Sequence, residues 1–248
     1  IRDRYISMLR TFPFNRISMG IQTFQDSTLK LLQRRHTAEQ AIRAFQNCRT
    51  AGFRNISIDL MYGLPGETLA SWKEDLKQAL ALHPEHISAY HLIYEEGTTL
   101  WQLREQHKLE EADEDLSVSL FGTLIDSLTA AGYEHYEISN FCLPGFHSRH
   151  NSSYWTEKKY LGCGPSAHSY NGTSRQWNVA SLNEYIRGIS NGNPTFEVEE
   201  LDLYTRYNDF VITHIRTQWG MPLPKLGKQY GEELYKYLSL IHISEPTR

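Results

Sequence analysis

Residues 55–82 read NISIDLMYGLPGETLASWKEDLKQALAL, and this stretch predicts how the chain folds. Its first part, Asn55 to Tyr62, is a candidate for a buried strand, and the turn residues Gly63 to Gly66 end it. The part from Thr68 to Leu82 has the apolar spacing of an amphipathic helix. A strand that passes through a tight turn into a helix is the repeating unit of parallel α/β sheets.

The same order of strand and helix signals continues on both sides of this stretch. Further strands are predicted at Arg16 to Phe24, His86 to Tyr94 and Glu134 to Phe141, and further helices at Asp26 to Gln33, Thr37 to Arg49 and Glu111 to Gly132. Thr37 and Gln40 form a capping-box pattern, and Gly52 lies past the end of that helix. This alternation predicts an α/β fold, a parallel sheet or barrel with functional groups at the carboxyl ends of its strands.

The character of the sequence changes near residue 192. Asn191 to Pro194 are turn-forming residues, and Leu203 to Gln218 reads as a helix with no strand before it. We therefore predict a partial barrel over residues 1–192 and the start of a small helical domain over 193–237. Residues 238–248, LSLIHISEPTR, match the translation of a common transposase-type sequencing adapter, and we expect them not to be natural protein.

Composition excludes several classes of protein. The net charge of −4, without a basic tail, gives no broad electrostatic footprint for nucleic acid. No apolar run reaches the roughly 18 residues of a membrane span. Cys48, Cys142 and Cys163 lie far apart and are odd in number, which indicates a reducing compartment rather than a disulfide framework. We expect a cytoplasmic protein that reaches membranes only through its partners.

Polar residues at or just after the predicted strand ends are candidates for ligand binding, namely Gln22, Asp59 and Glu95. A carboxylate in the otherwise apolar strand around Asp59 is costly unless it is paired, so it either forms a structural ion pair or binds a ligand's hydroxyls or amine. Gln22 could instead bond to neighbouring backbone, and Arg34, on a short helix, could be a solvated arginine.

Residues 150–169, HNSSYWTEKKYLGCGPSAHS, concentrate special residue types. His150 with Asn151, Tyr154 and Trp155 sets a soft ligand beside flat aromatic surface, which would suit a planar ligand with a metal centre. A surface or satisfied core histidine is the alternative. The small residues from Gly162 to His168 would let a nucleotide-like cofactor approach the backbone closely.

Six strings of the chain together match a known family. They are NRISMGIQTF (15–24), LLQRRHT (31–37), IDLMYGLPGET (58–68), YEISNF (136–141), HNSSYW (150–155) and GCGPSAHS (162–169). Over roughly residues 15–237 the chain resembles radical S-adenosylmethionine proteins of the oxygen-independent coproporphyrinogen oxidase type. The resemblance is greatest to the HemW branch, the haem chaperones.

The resemblance implies a partial (β/α) barrel of the triosephosphate-isomerase kind that binds S-adenosylmethionine across its strand ends. Gln22, Arg34 and Asp59 fall on positions that contact S-adenosylmethionine in the family. Ile93 and His168 fall on positions that contact it or a second copy of it. The predicted helical segment at 193–237 would begin the HemN-type C-terminal domain.

The resemblance also implies haem and an iron–sulfur cluster. HNxxYW marks the HemW branch, so His150, Asn151, Tyr154 and Trp155 are expected to bind haem, with His150 a candidate ligand of its iron. The family's CxxxCxxC loop for a [4Fe–4S] cluster is absent from these residues, and we expect it upstream of Ile1.

Three functions remain open from the sequence. The first is a haem chaperone that delivers haem to respiratory enzymes. The second is an oxygen-independent coproporphyrinogen III oxidase, which would cleave S-adenosylmethionine reductively to a radical and oxidise propionate side chains. The third is a barrel fragment without a ligand.

Overall fold

A computed structural model describes residues 3–244, and the side chains of residues 5–238. The chain divides into two compact units after His147. The predicted domain boundary near residue 192 is a separate claim and stays a prediction. Among the described residues, no helix is both long and apolar enough to cross a membrane.

The first unit alternates helices and strands. In chain order its elements are α1 (Asp3–Leu9), β1 (Ile17–Gln22), α2 (Asp26–Leu31), α3 (Ala38–Thr50), β2 (Ile56–Tyr62), α4 (Leu69–Ala81), β3 (His86–His91), α5 (Thr99–Glu105), α6 (Glu114–Ala130), β4 (Glu134–Glu137) and β5 (Asn140–Cys142). The strands form one sheet in the order β1-β2-β3-β5-β4, with β1, β2 and β3 parallel. The α/β fold with a parallel sheet is thereby confirmed.

The strand predicted at Glu134 to Phe141 is wrong as a single element. The chain reverses at Ile138 and Ser139, so β4 and β5 form an antiparallel hairpin, and β5 also pairs antiparallel with β3. The backbone N–H of Ala89 in β3 donates to the Ser139 carbonyl at 2.8 Å, which holds the turn against the sheet. The turn contains no glycine or asparagine, the usual sequence signals of a two-residue hairpin turn.

The sheet of the first unit has one apolar and one polar face. Helices α3, α4 and α6 pack their apolar residues against the apolar face. Trp72 of α4 is fully buried there and donates its indole N–H to the Leu120 carbonyl at 3.0 Å. We call the other side the polar face, which carries Ser18, Gly20, Gln22, Ser57, Asp59, His86 and Ser88 at alternating strand positions. This alternation follows from the two-residue period of side chains along a strand.

The capping box predicted at Thr37 and Gln40 is confirmed. The Gln40 N–H donates to Thr37 Oγ1 at 3.3 Å, and the Thr37 N–H donates to Gln40 Oε1 at 3.2 Å. Two of the otherwise unpaired amides at the start of α3 are satisfied in this way. The helix α3 therefore begins directly after Thr37, as the sequence predicts.

A buried carboxylate anchors the segment that leaves β1. Asp75 of α4 accepts hydrogen bonds from Thr23 Oγ1 at 2.5 Å, from the Phe24 N–H at 3.1 Å and from Gln25 Nε2 at 3.2 Å. Burial raises the pKa of Asp75, and these three hydrogen bonds oppose that rise. They hold in place the residues that directly follow Gln22.

The second unit combines a small antiparallel sheet with helices. Its elements are α7 (Arg149–Tyr154), β6 (His168–Tyr170), β7 (Ser174–Asn178), α8 (Leu182–Ser190), β8 (Phe196–Glu200), α9 (Leu203–Ile215), α10 (Leu223–Tyr230) and α11 (Glu232–Ser244). The sheet order is β6-β7-β8. A strand, β8, therefore precedes the helix predicted at Leu203 to Gln218, and its predicted absence is wrong.

Phe210 of α9 and Leu226 of α10 are fully buried in the apolar core of the second unit, together with Tyr207, Tyr230 and Leu238. Of the expected adapter segment, residues 238–244 continue α11, and residues 245–248 lie outside the described residues.

Candidate functional site

The carboxyl end of β1 has an unusual backbone. Gln22, its last residue, has a φ of 73°, and the register with β2 shifts between Gly20 and Gln22. Residues other than glycine rarely adopt this left-handed backbone conformation, and those that do are concentrated at functional sites. A bulge of this kind changes the direction in which the following side chain points.

Gln22 and Arg34 meet above Gly20. A Cβ atom on Gly20 would lie 2.6 Å from Gln22 Nε2 and 3.1 Å from Arg34 Nη2. Arg34 Nη2 also donates to the Gly20 carbonyl at 3.3 Å, although the arginine as a whole is exposed. The missing side chain at Gly20 thus leaves room for an amide and a guanidinium at the end of the strand.

Asp59 lies beside this group on the neighbouring strand. It pairs in register with Gly20 and accepts a hydrogen bond from Ser18 Oγ at 3.2 Å. Asp59 is half-buried and, within the described residues, forms no salt bridge. Its expected position at the end of the strand is wrong, because Leu60, Met61 and Tyr62 follow it in β2.

The other candidates near β3 are exposed. Ile93 lies two residues past this strand with 81% of its surface exposed, although its neighbours Leu92 and Tyr94 are buried. Glu95 is exposed four residues past the strand. Among these candidates the structure brings only Gln22, Arg34 and Asp59 into one group around Gly20, where an amide, a guanidinium and a carboxylate could bind a small ligand with acidic and hydroxyl or amine groups.

Sequence reasoning missed the histidine of the polar face. The His86 ring is bonded on both sides, through Nδ1 to Ser57 Oγ at 2.8 Å and through Nε2 to the Tyr136 hydroxyl at 2.7 Å. Burial first, and then the positive charge of Arg16, lower the pKa of His86 to about 3. The available signal was a polar residue at every second position of two apolar strands, Ser57–Asp59 and His86–Ser88.

The turn after β2 is closed by its own carboxylate. Glu67 accepts hydrogen bonds from the N–H of Gly63 at 2.6 Å and of Leu64 at 3.3 Å. Burial raises the pKa of Glu67 to about 7, although both hydrogen bonds lower it. Gly63 has a φ of 71°, and a Cβ there would lie 2.5 Å from His91 Nε2, so only glycine fits this turn.

In the second unit, His150 begins a series of neighbouring rings. The Tyr154 hydroxyl lies 3.3 Å from His150 Nε2, and the two rings meet edge to face with centroids 5.2 Å apart. The ring centroids of Tyr154 and Tyr160 are 5.1 Å apart, and those of Tyr160 and Tyr170 are 6.1 Å apart. We call His150, Tyr154, Tyr160 and Tyr170 the aromatic surface. His150 and Tyr154 are exposed, so a ligand can reach them from solvent.

Short-range contacts hold the rest of the HNSSYW segment. Ser148 accepts a hydrogen bond from the Asn151 N–H at 3.3 Å and so caps α7. The Asn151 residue is half-buried. The Arg216 guanidinium lies 5.4 Å from the centre of a Trp155 ring, a cation–π contact.

A cavity of about 250 Å³ lies beside the aromatic surface. Its walls include Tyr154, Trp155, Tyr160 and Tyr170, together with the cationic residues Lys158, Arg175 and Arg206. Arg175 is neutralised by ion pairs with Asp209 and with Glu199. The acidic residues Glu157 and Asp209 also line the cavity, so its cationic groups exceed its acidic ones by one. Aromatic walls with this small excess of positive charge suit a flat ligand that carries acidic groups.

His168 lies in β6, opposite Trp177, with its ring exposed. The small residues before it are explained largely by chain packing. A Cβ on Gly162 would lie only 2.1 Å from the His168 carbonyl oxygen, and the Gly164 N–H donates to the Tyr185 hydroxyl at 3.0 Å. A role of His168 towards S-adenosylmethionine stays a prediction.

Comparisons with known proteins place these features in a family. The radical SAM superfamily matches residues 1–79. The chain is 33% identical over 230 residues to the heme chaperone HemW of Bacillus subtilis (strain 168), covering 92% of this chain and 61% of that protein. It is 32% identical over 247 residues to the heme chaperone HemW of Lactococcus lactis, covering 96% of this chain and 65% of that protein.

The fold has a solved counterpart. The coproporphyrinogen III oxidase HemN of Escherichia coli, described as a radical SAM enzyme, superimposes with a TM-score of 0.78 at 22% identity, over 96% of this chain and 58% of that chain. This chain thus spans less than two thirds of the length of the relatives that it matches. The chain thus matches the radical SAM superfamily over residues 1–79 and is similar to the HemW proteins over most of its length.

Proposed function

We propose that this chain is part of a haem chaperone that binds haem at the aromatic surface and delivers it to respiratory enzymes. The observation that carries the proposal is the exposed His150, which is bonded to Tyr154 within a series of aromatic rings. The similarity to HemW proteins, which are named heme chaperones, supports it. The oxidase alternative rests on a likeness of fold alone and is not proposed.

His150 supplies the candidate ligand of the haem iron. The Tyr154 hydroxyl lies 3.3 Å from His150 Nε2, one of the two ring nitrogens through which an imidazole binds metals. Binding of iron at Nε2 would replace this contact with Tyr154.

The neighbouring residues would hold the porphyrin. The cavity of about 250 Å³ is smaller than the roughly 300–1,000 Å³ of an ordinary ligand pocket, so haem would lie on the surface with one edge inserted. Tyr154 and Trp155 would pack on the porphyrin ring, and Lys158 or Arg206 would attract its propionates. Asn151, in the same HNSSYW segment, would be a further haem contact. Such shallow binding suits a protein that must release its cargo.

The group around Gly20 is proposed to bind S-adenosylmethionine. Arg34 would hold the carboxylate of this ligand, Asp59 its hydroxyls or amine, and Gln22 a further polar group, with Ile93 as an additional contact. The convergence of the Gln22 and Arg34 side chains over Gly20 and the absence of a salt bridge at Asp59 within the described residues fit such a ligand. When bound, S-adenosylmethionine supplies the radical chemistry of the superfamily.

The cysteines of this chain do not fit a [4Fe–4S] cluster. Cys48 and Cys142 are buried and Cys163 is exposed, and their positions form no CxxxCxxC motif. The three cysteines of this chain therefore supply no ligand set for such a cluster.

Haem titration of His150→Ala tests the proposal. The wild-type protein is expected to shift the Soret band of added haem, and the variant to lose that shift. Tyr154→Phe keeps the ring but removes the hydroxyl, so it should bind haem at least as tightly as the wild type. His107→Ala, an exposed histidine in the first unit, is the matched control. A Soret band unchanged by His150→Ala would refute the ligand role.

A further inference from the structure

The end of the first unit brings a carboxylate, a thiol and an imidazole together. Glu134 of β4 pairs in register with Cys142 of β5, and His147 follows in the loop after β5. One donor atom from each of the three lies within 4.8 Å of the others. We propose that Glu134, Cys142 and His147 form a binding site for a zinc ion.

The geometry is close to that of a zinc site. His147 Nε2 and Glu134 Oε2 are 2.9 Å apart. Ligands of a tetrahedral zinc ion lie about 2.0–2.3 Å from the metal, which places neighbouring donors roughly 3.5 Å from each other. Side-chain rotations that move donor atoms by about 1 Å therefore convert the present cluster into a coordination sphere.

The donor set selects the metal. Thiolate and imidazole ligands favour zinc, whereas magnesium and calcium prefer oxygen alone. With Cys142 as thiolate, Glu134 as carboxylate and His147 neutral, two negative charges balance the charge of Zn²⁺. Three protein ligands leave the fourth position for water.

The thiol of Cys142 is fully buried. Burial, followed by the nearby Glu134 carboxylate, raises the pKa of Cys142 to about 12. A bound transition metal deprotonates a coordinating thiol outright, so zinc would release a proton from Cys142. The buried thiol is what distinguishes this group from a partly exposed ion pair of Glu134 and His147.

Surrounding contacts hold the ligands before a metal arrives. The His147 ring meets the ring of Tyr136 edge to face at 4.9 Å, and Tyr136 is bonded to His86. Arg16 donates to the Phe146 carbonyl at 3.2 Å, directly before His147. Such outer contacts orient metal ligands in known sites. A bound zinc would tie the loop before Ser148 to the β4–β5 hairpin.

Cobalt titration tests the proposal, because cobalt(II) replaces zinc and absorbs light. The purified, haem-free 248-residue chain should bind one Co²⁺ with tetrahedral visible bands and a thiolate-to-cobalt band in the near ultraviolet, and Zn²⁺ should displace it. Cys142→Ser should abolish the thiolate band. His147→Gln and Glu134→Gln should weaken binding at least 10-fold while the thiolate band remains.

Cys163→Ser is the matched control and should leave the thiolate band unchanged. Circular dichroism shows whether each variant folds, and His147→Gln decides the question if Cys142→Ser does not fold. A wild-type chain without a stoichiometric thiolate band overturns the proposal. So does a band that persists in folded Cys142→Ser, or a cobalt affinity that His147→Gln leaves unchanged. The haem titration is independent of each of these outcomes.

Discussion

The polar face of the first unit and the aromatic surface of the second each place a histidine beside a tyrosine hydroxyl. The two histidines differ in burial and in hydrogen bonding. His86 is 1% exposed and is bonded at both ring nitrogens, at 2.8 and 2.7 Å. His150 is exposed, and its Nε2 has a longer 3.3 Å contact with Tyr154. The comparison teaches that burial and saturated hydrogen bonds mark the structural histidine, whereas access marks the candidate ligand.

The largest expected difference between the two regions is in stability. His86→Ala removes both hydrogen bonds and leaves Ser57 Oγ and the Tyr136 hydroxyl buried without that partner, so it should lower the free energy of unfolding by about 2–4 kcal/mol. His150→Ala should change it by less than about 0.5 kcal/mol. Urea unfolding measures both. Equal losses would remove the distinction between a structural and a ligand histidine.

The polar face should also make stability depend on pH. The pKa of His86 falls from 6.5 to about 3 on folding, so between these values the unfolded chain binds the extra proton. Stability from His86 should therefore decline as the pH falls through this window, by about 1.4 kcal/mol per pH unit. Glu67 acts in the opposite sense, because folding raises its pKa from 4.5 to about 7.

Glu67→Gln separates the two contributions. Between pH 4.5 and 6.5 the folded protein gains a proton at Glu67 while the unfolded chain gains one at His86, so the two slopes oppose each other. The variant should show a steeper loss of stability on acidification over this range, measured by urea unfolding at several pH values. Identical slopes would mean that Glu67 titrates alike in both states.

A smaller effect is expected at Gly20, on ligand binding rather than folding. Gly20→Ala places a methyl group where Gln22 and Arg34 meet, and both are flexible enough to move aside. We expect the affinity for S-adenosylmethionine to fall by about 10-fold, which equals about 1.4 kcal/mol, with little change in stability. Calorimetric titration measures the affinity.

Gly122→Ala is the control for this substitution. A Cβ there meets nothing within 4 Å, and the residue lies inside α6, so the change should raise stability by roughly 0.5–1 kcal/mol and leave the affinity unchanged. An equal loss of affinity in both variants would count against a site at the end of β1.

The smallest effect is expected at the edge of the HNSSYW segment. Arg216→Ala removes the cation–π contact with Trp155, and such contacts at exposed sites contribute about 0.5–1 kcal/mol. Arg216→Lys keeps a cation and should retain part of this stability. Thermal unfolding measures both variants. A loss of several kcal/mol would show that Arg216 has a larger structural role than this contact.

The fold of the first unit was predictable where local signals sufficed. The capping box at Thr37 and the strand, turn and helix of residues 55–82 were found because neighbouring residues determine them. The turn at Ile138 and the strand β8 were missed, since the first lacks turn-type residues and the second depends on pairing with β7. Local sequence does not show pairing between distant segments.

The candidate site, too, could be predicted from the sequence only in part, because its geometry depends on contacts between distant segments. The resemblance identified Gln22, Arg34 and Asp59, but their grouping depends on the left-handed φ of Gln22 and on the space above Gly20. The partners of His86 lie 29 and 50 residues away in the chain, so no short motif could show them.

The packing of Gly162 against His168 has a consequence for genetics. Because even one added carbon would lie 2.1 Å from a backbone oxygen, each single-base missense change in this codon forces two chain segments apart. Such changes damage the protein without touching a ligand. Under the proposed function, a mutational screen for lost haem binding should therefore recover codon 162 beside codon 150, and only measurements of folding would tell the two classes of allele apart.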